Sequence, residues 1–230
     1  MLLLALPCAR AAVQSMPLVL AGETTTVDVY AATGAHRDAT VVIAHGFTRA
    51  RHTMAGHARA LADAGYAVVV PDLPFLMDSR DNARALRDLL GLIDRGGLGP
   101  LPRRYVMIGF SAGGLSALLA SDAPGVVGYV GLDPFDRPGH VGLEAARRLQ
   151  VPAYLLRGPS RACNAYSIAE PWAGALPQLR EDRVLPGADH CDFESPTDGL
   201  CEFVCGDVHP VEQATVRAFI LAAVEDAAGR

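Results

Sequence analysis

Lysine is absent from this chain: all twenty of its basic residues are arginines. Schiff-base catalysis, serine–lysine dyads and the phosphate-loop lysine are therefore excluded. Positive charge is also scarce overall. The net charge is −5 at pH 7 and no basic stripe is available to neutralise phosphates, so a nucleic-acid partner is not expected. No apolar run approaches the roughly eighteen residues of a membrane span, which removes an integral membrane segment from the reading. Internal repeats and low-complexity linkers are missing too. What remains is a chain of 230 residues, half of them apolar, long enough to bury one large core and cramped for two. A single α/β domain over residues 12–230 is the expectation.

Residues 1–11 read differently. Met1 to Leu6 are apolar, and Ala9-Arg10-Ala11 looks like the end of a secretory signal, although the basic start of such a signal is missing. Pro7 before Cys8 speaks against a lipoprotein. The expected location is the periplasm or the exterior, with the cytoplasm as the alternative. Export suits the cysteines: Cys163, Cys191, Cys201 and Cys205 form an even set able to close two bridges in an oxidising compartment. Of three connectivities, Cys163–Cys191 with Cys201–Cys205 is the expected one, because it staples the loop after a late strand to the neighbour of His190. The rival is a metal site on Cys201, Cys205 and His209, spaced every four residues, with Cys191 as fourth ligand. No C-x-x-C knuckle supports it, and Pro210 interrupts a helix carrying His209. The expectation is no metal.

Apolar and β-branched runs recur at Val27–Tyr30, Thr40–Ala44, Tyr66–Val70, Tyr105–Phe110, Val126–Leu132, Val151–Leu156 and Arg183–Leu185. Helical patterns lie between them at Thr53–Ala64, Asp81–Ile93, Ala112–Ser121 and Gly142–Leu149, with a last helix from Val211 to Ala227. Such alternation predicts a mostly parallel sheet with helices on both faces. Leu18 to Ala31 has no helix of its own and is expected to pair antiparallel at the entry. The stretch between Asp133 and Val151 is too short for a large cap domain, so the pocket should be open.

The chemistry centres on Gly109-Phe110-Ser111-Ala112-Gly113, placed between the run Tyr105–Ile108 and a helical pattern. Strand, sharp turn and helix make G-x-S-x-G a nucleophile elbow, in which small residues on either side let the strand and helix pass closely. Ser111 is the candidate nucleophile. A serine hydroxyl needs a histidine to take its proton, a carboxylate to orient that histidine, and donors for the oxyanion. Of the seven histidines, His190 alone falls in a loop between the last strand and the final helix. His36, His52, His57, His140 and His209 read as surface or helix-end residues. Asp133, at a strand end and followed by Pro134, is the candidate acid, and Asp136 the fallback. Asp189 and Asp192 stand too near His190 to face its ring, and suit solvated or capping roles. The oxyanion donors should be the amides of Ala112 and of Phe47, in the loop after Val41–Ala44, with His45 propping that loop by hydrogen bonds.

With these residues in place, the chain resembles the α/β-hydrolase superfamily from Leu18 onward. Its nearest likeness is to chlorophyllase-like and cutinase-like polyester hydrolases related to dienelactone hydrolases. His45-Gly46-Phe47-Thr48, Leu132-Asp133-Pro134 and His190-Cys191-Asp192-Phe193 carry that resemblance. Phe110 and Ala112 stand where chlorophyllases carry His and Arg, and Ser111 where dienelactone hydrolases proper carry cysteine. The resemblance implies a cofactor-independent serine hydrolase of small-molecule or polymeric carboxylic esters. The competing readings are a catalytically silent binding protein on the same fold and an acyltransferase using the same triad.

Overall fold

Continuous apolar runs, whose successive side chains face opposite sides of a sheet, dictate the layout. In the computed structural model, which describes residues 11–76 and 78–229, eight strands form one sheet. They are β1 (Val13–Leu20), β2 (Glu23–Tyr30), β3 (Thr40–Ala44), β4 (Ala67–Pro71), β5 (Tyr105–Phe110), β6 (Val126–Leu132), β7 (Ala153–Arg157) and β8 (Leu179–Val184). Their spatial order is β1-β2-β4-β3-β5-β6-β7-β8. The first two strands form an antiparallel hairpin, β2 pairs antiparallel with β4, and every later pairing is parallel. Ala21 and Gly22, both with positive φ, make the two-residue hairpin turn that matches strand twist. Residues 1–10, which hold Cys8 and nearly all of the expected signal remnant, lie outside the described residues.

Among the described residues there are seven α-helices: α1 (Ala55–Asp63), α2 (Ser79–Asp94), α3 (Ala112–Ala120), α4 (Val141–Arg148), α5 (Pro171–Ala175), α6 (Gly199–Cys205) and α7 (Pro210–Ala228). Val41, Ile43, Val68, Val70, Val106 and Ile108 point to the face that packs α1 and α7. Their neighbours Val42, Ala44, Val69 and Met107 point the other way, onto α2 and α3. On α7 the buried residues Val216, Phe219, Ile220, Ala223, Val224 and Ala227 recur at helical spacing and form one apolar stripe. Burying each large side chain of this kind contributes roughly 1.5–3 kcal/mol. Parallel strands sheathed on both faces leave one open rim, at their carboxyl ends, for loops to build a site.

Two expectations about elements need correction. The last strand is longer than Arg183–Leu185 and begins at Leu179. It is the sheet edge, half exposed, and its run Arg180-Glu181-Asp182-Arg183 carries no apolar signal. The helix expected from Thr53 opens instead with a tight 3-10 turn, Arg51–Met54, before α1. The short helices α5 and α6 were not anticipated. The first starts with Pro171 and buries Trp172; the second is capped by Asp198, whose side chain accepts from the amides of Leu200 and Cys201.

Candidate active site

Ser111 occupies the turn between β5 and α3 at φ +52°, a conformation L-residues rarely adopt. The glycines two residues away permit it. A Cβ on Gly109 would lie 2.3 Å from the Gly113 carbonyl oxygen, and one on Gly113 would lie 2.2 Å from that of His45. The elbow is held by the Ser111 amide donating to Leu132 (3.0 Å) and by the Ser111 carbonyl accepting from the amides of Gly114 (2.9 Å) and Phe135 (3.0 Å).

Two further side chains converge on it from the ends of other strands in the sheet. His190 follows β8 and places Nε2 3.0 Å from the Ser111 hydroxyl oxygen. Asp133 follows β6 and places Oδ2 2.6 Å from His190 Nδ1. An ionised carboxylate only accepts, so Nδ1 carries the proton and the Nε2 lone pair faces the serine hydroxyl. Asp133 is 2 % exposed. Its other oxygen accepts from the Gly158 amide (2.9 Å) and from Asn164 Nδ2 (3.1 Å). The His190 ring also rests against Phe110, with centroids 4.6 Å apart.

Phe47 and Ala112, the expected oxyanion donors, line the same cavity as Ser111 and His190. Ala112 is the first residue of α3, where amides have no intrahelical acceptor and the helix dipole favours negative charge. A Cβ on Gly46 would lie 3.2 Å from Ser111 Cβ and 3.1 Å from the Phe110 ring, so the Phe47 loop presses directly on the elbow. His45 braces this loop: its Nδ1 donates to the Gly46 carbonyl (2.8 Å) while Nε2 accepts from the Leu73 amide (2.8 Å). Burial holds its imidazole below the ordinary histidine pKa. The cavity measures about 650 Å³ and is mostly apolar, walled by Phe47, Phe75, Phe135, Leu76, Leu200 and Val204.

The other candidates have different tasks. Asp136 is fully buried and accepts from Trp172 Nε1 (2.8 Å) and from the amides of Arg137, Gly142 and Leu143, so it ties α4 to α5 and stays away from the imidazole. Asp192 caps rather than solvates, accepting from the amides of Asp189 and His209 and from His209 Nδ1 (2.9 Å). That bond raises the His209 pKa. His57 stands in the first turn of α1 but is not a surface residue. It is 1 % exposed, with Nε2 3.1 Å from the Phe193 carbonyl, and burial pushes its pKa down to about 4.

The cysteine pairing differs from the expected one. Cys163 is bonded to Cys205 and Cys191 to Cys201, which also engages all three sulfurs of the alternative metal site. Both bridges end on α6, a helix invisible in the apolar pattern, and its Cys201 faces Cys191 one turn away from Cys205. Asn164 also escaped sequence reading. It sits beside Cys163 in a 3-10 turn followed by three consecutive left-handed residues, Ala165, Tyr166 and Ser167. Nothing local in the sequence marks it as a partner of Asp133.

An elbow serine, an imidazole and a carboxylate at the carboxyl rim of a doubly covered parallel sheet define the class as a hydrolase of α/β architecture. Residues 41–183 match the alpha/beta hydrolase family model, and the chain belongs to that family. Among solved structures, dienelactone hydrolase from Anabaena variabilis ATCC 29413 is similar, with a TM-score of 0.75 at 16 % identity over 95 % of this chain and 99 % of that one. That likeness is one of fold. No curated protein matches the sequence.

Proposed function

We propose that the protein is a serine hydrolase of carboxylic esters. The observation that carries this reading is the unbroken relay from Ser111 Oγ through His190 to Asp133, 3.0 and 2.6 Å, opening on an apolar cavity. As Ser111 Oγ bonds to the ester carbonyl carbon, its proton passes to His190 Nε2. The carbonyl oxygen takes the negative charge and is met by the amides of Phe47 and Ala112. When the tetrahedral adduct collapses, the C–O bond to the alcohol breaks and His190 returns the proton to that leaving oxygen. Water then repeats the sequence on the acyl-enzyme, releasing the acid and restoring Ser111. Asp133 orients the imidazole and balances its charge. The apolar walls favour esters with an apolar acyl or alcohol part.

Two disulfides support a place outside the reducing cytoplasm, periplasmic or secreted, with residues 12–230 acting as one domain. Alkylation followed by intact-mass measurement should find no free thiol among the four cysteines in protein from an oxidising compartment. For the activity, a fluorophosphonate probe should label Ser111 in folded protein, and Ser111→Ala should lower kcat on p-nitrophenyl esters by about 10⁴-fold or more. A folded preparation that takes no label favours the silent reading. With an alcohol acceptor added, free carboxylic acid should remain the main product; a dominant new ester points to acyl transfer.

A further inference from the structure

The loop that carries Phe47 is fastened to the loop that carries His190 by a buried ion pair. Arg49 donates from Nε to Glu194 Oε1 (2.7 Å) and from a terminal nitrogen to Oε2 (2.8 Å), a two-point fork. The same terminal nitrogen lies 2.9 Å from Asp198 Oδ1. The Arg49 side chain is 7 % exposed and that of Glu194 0 %. Thr197 Oγ1 adds a third donor to the Glu194 carboxylate at 3.1 Å. A buried carboxylate is tolerated only when its oxygens are engaged in this way.

Each anchor belongs to a segment that contributes to the candidate site. Arg49 closes a turn, its amide donating to the Gly46 carbonyl (3.2 Å), with Phe47 and left-handed Thr48 at the corner. Glu194 ends the short turn His190–Phe193, and its neighbour Ser195 donates its amide to Thr53 (2.7 Å). Asp198 caps α6, whose Leu200 and Val204 line the cavity. Arg49 thus joins the turn bearing the Phe47 amide, the segment bearing His190 and one cavity wall.

We propose that Arg49 is a positioning residue: through Glu194 and Asp198 it fixes the aim of the Phe47 amide relative to Ser111 and His190. This rests on the serine-hydrolase reading; Arg49 reaches the cavity wall, but its side-chain nitrogens are spent on Glu194 and Asp198 rather than on Ser111, His190 or Asp133. A guanidinium suits the task because its planar fork sets direction as well as distance, whereas an ammonium is a point charge on a flexible stem. An oxyanion donor interacts most strongly in the transition state, so a misaimed amide lowers kcat and leaves KM nearly unchanged.

Three variants test this: Arg49→Lys, Glu194→Gln and the paired change Arg49→Met with Glu194→Leu. The pair removes both charges together and keeps volume, so no lone buried charge is left to unfold the chain. Turnover on p-nitrophenyl butyrate is normalised to sites titrated with a fluorophosphonate, so a loss of folded protein does not pass for slow chemistry. The expected result is a fall in kcat of about 10- to 100-fold with KM within about threefold, smaller than the 10²- to 10³-fold cost of deleting an oxyanion donor outright. Arg49→Lys should not restore the rate. Should the paired variant fail to fold, the two single variants decide by the same measurement. A folded variant without the fork that keeps kcat within about twofold of the parent overturns the proposal. Ser111→Ala, run alongside, separates the two readings: if it retains activity the serine mechanism itself fails, and if it is inactive while the Arg49 series is unaffected only the positioning role fails.

Discussion

Asp133 and Asp136 stand three residues apart and are both buried, yet they face different groups. One meets the His190 imidazole; the other meets Trp172 and three backbone amides. Asp133→Asn should therefore lower kcat by about 10³- to 10⁴-fold with little change in melting temperature, because an amide holds the ring in the wrong tautomer. Asp136→Ala should do the reverse, costing several kcal/mol of stability by orphaning buried donors while turnover per titrated site stays near normal. Urea denaturation and steady-state kinetics on both variants check this pair. His57 brings a pH dependence of stability. Its folded pKa of about 4 lies below the unfolded value of 6.5, so the unfolded chain binds more protons between those limits. Stability is fully present above pH 6.5 and is lost as pH falls toward 4, by up to about 3 kcal/mol. Arg217, the charged neighbour facing it, reinforces the shift. His57→Gln should flatten the fall in melting temperature across this window; an unchanged slope would remove His57 as its source. At this scale the readable residues were those whose chemistry is announced by neighbours in the chain, as Ser111 is by Gly109 and Gly113. Arg49 meets Glu194 across 145 positions, and Asn164 meets Asp133 across 31, and no local pattern foretells such meetings.

Among the elements, α6 depends most on cross-links. Seven residues are too few to hold a helix by propensity, and Leu200, Phe203 and Val204 leave much of it exposed. Its bridges reach across 42 and 10 positions. Loop-closure entropy assigns about 4 kcal/mol to the longer and about 3 kcal/mol to the shorter. Replacing Cys163 and Cys205 by serine should thus destabilise the protein more than replacing Cys191 and Cys201, by about 1 kcal/mol in chemical denaturation. Equal losses would point to a compact denatured state that already brings Cys163 near Cys205. The strands and long helices were legible because burial on both sheet faces writes continuous apolar runs and helical stripes. The edge strand β8 was legible only at its end, since exposure frees it to carry charge. Disulfide connectivity was not legible at all: it follows from how loops meet over the rim, which spacing does not encode.

For the whole molecule, the parallel part of one sheet brings Ser111, Asp133 and His190 to a common rim, although 79 positions separate the first from the last. The order serine, acid, histidine along the chain was readable because each follows its own strand, and parallel strands end on the same side. The shape of the pocket was not, since its walls come from the Phe47 turn, the segment around Leu76 and α6, each set by tertiary contacts. The Cys163–Cys205 bond has a last consequence for the molecule as an object. Tyr166, 74 % exposed within the left-handed stretch, lies inside the ring that this bond closes. A protease nick there would leave both fragments joined as one covalent particle, separable only under reducing electrophoresis.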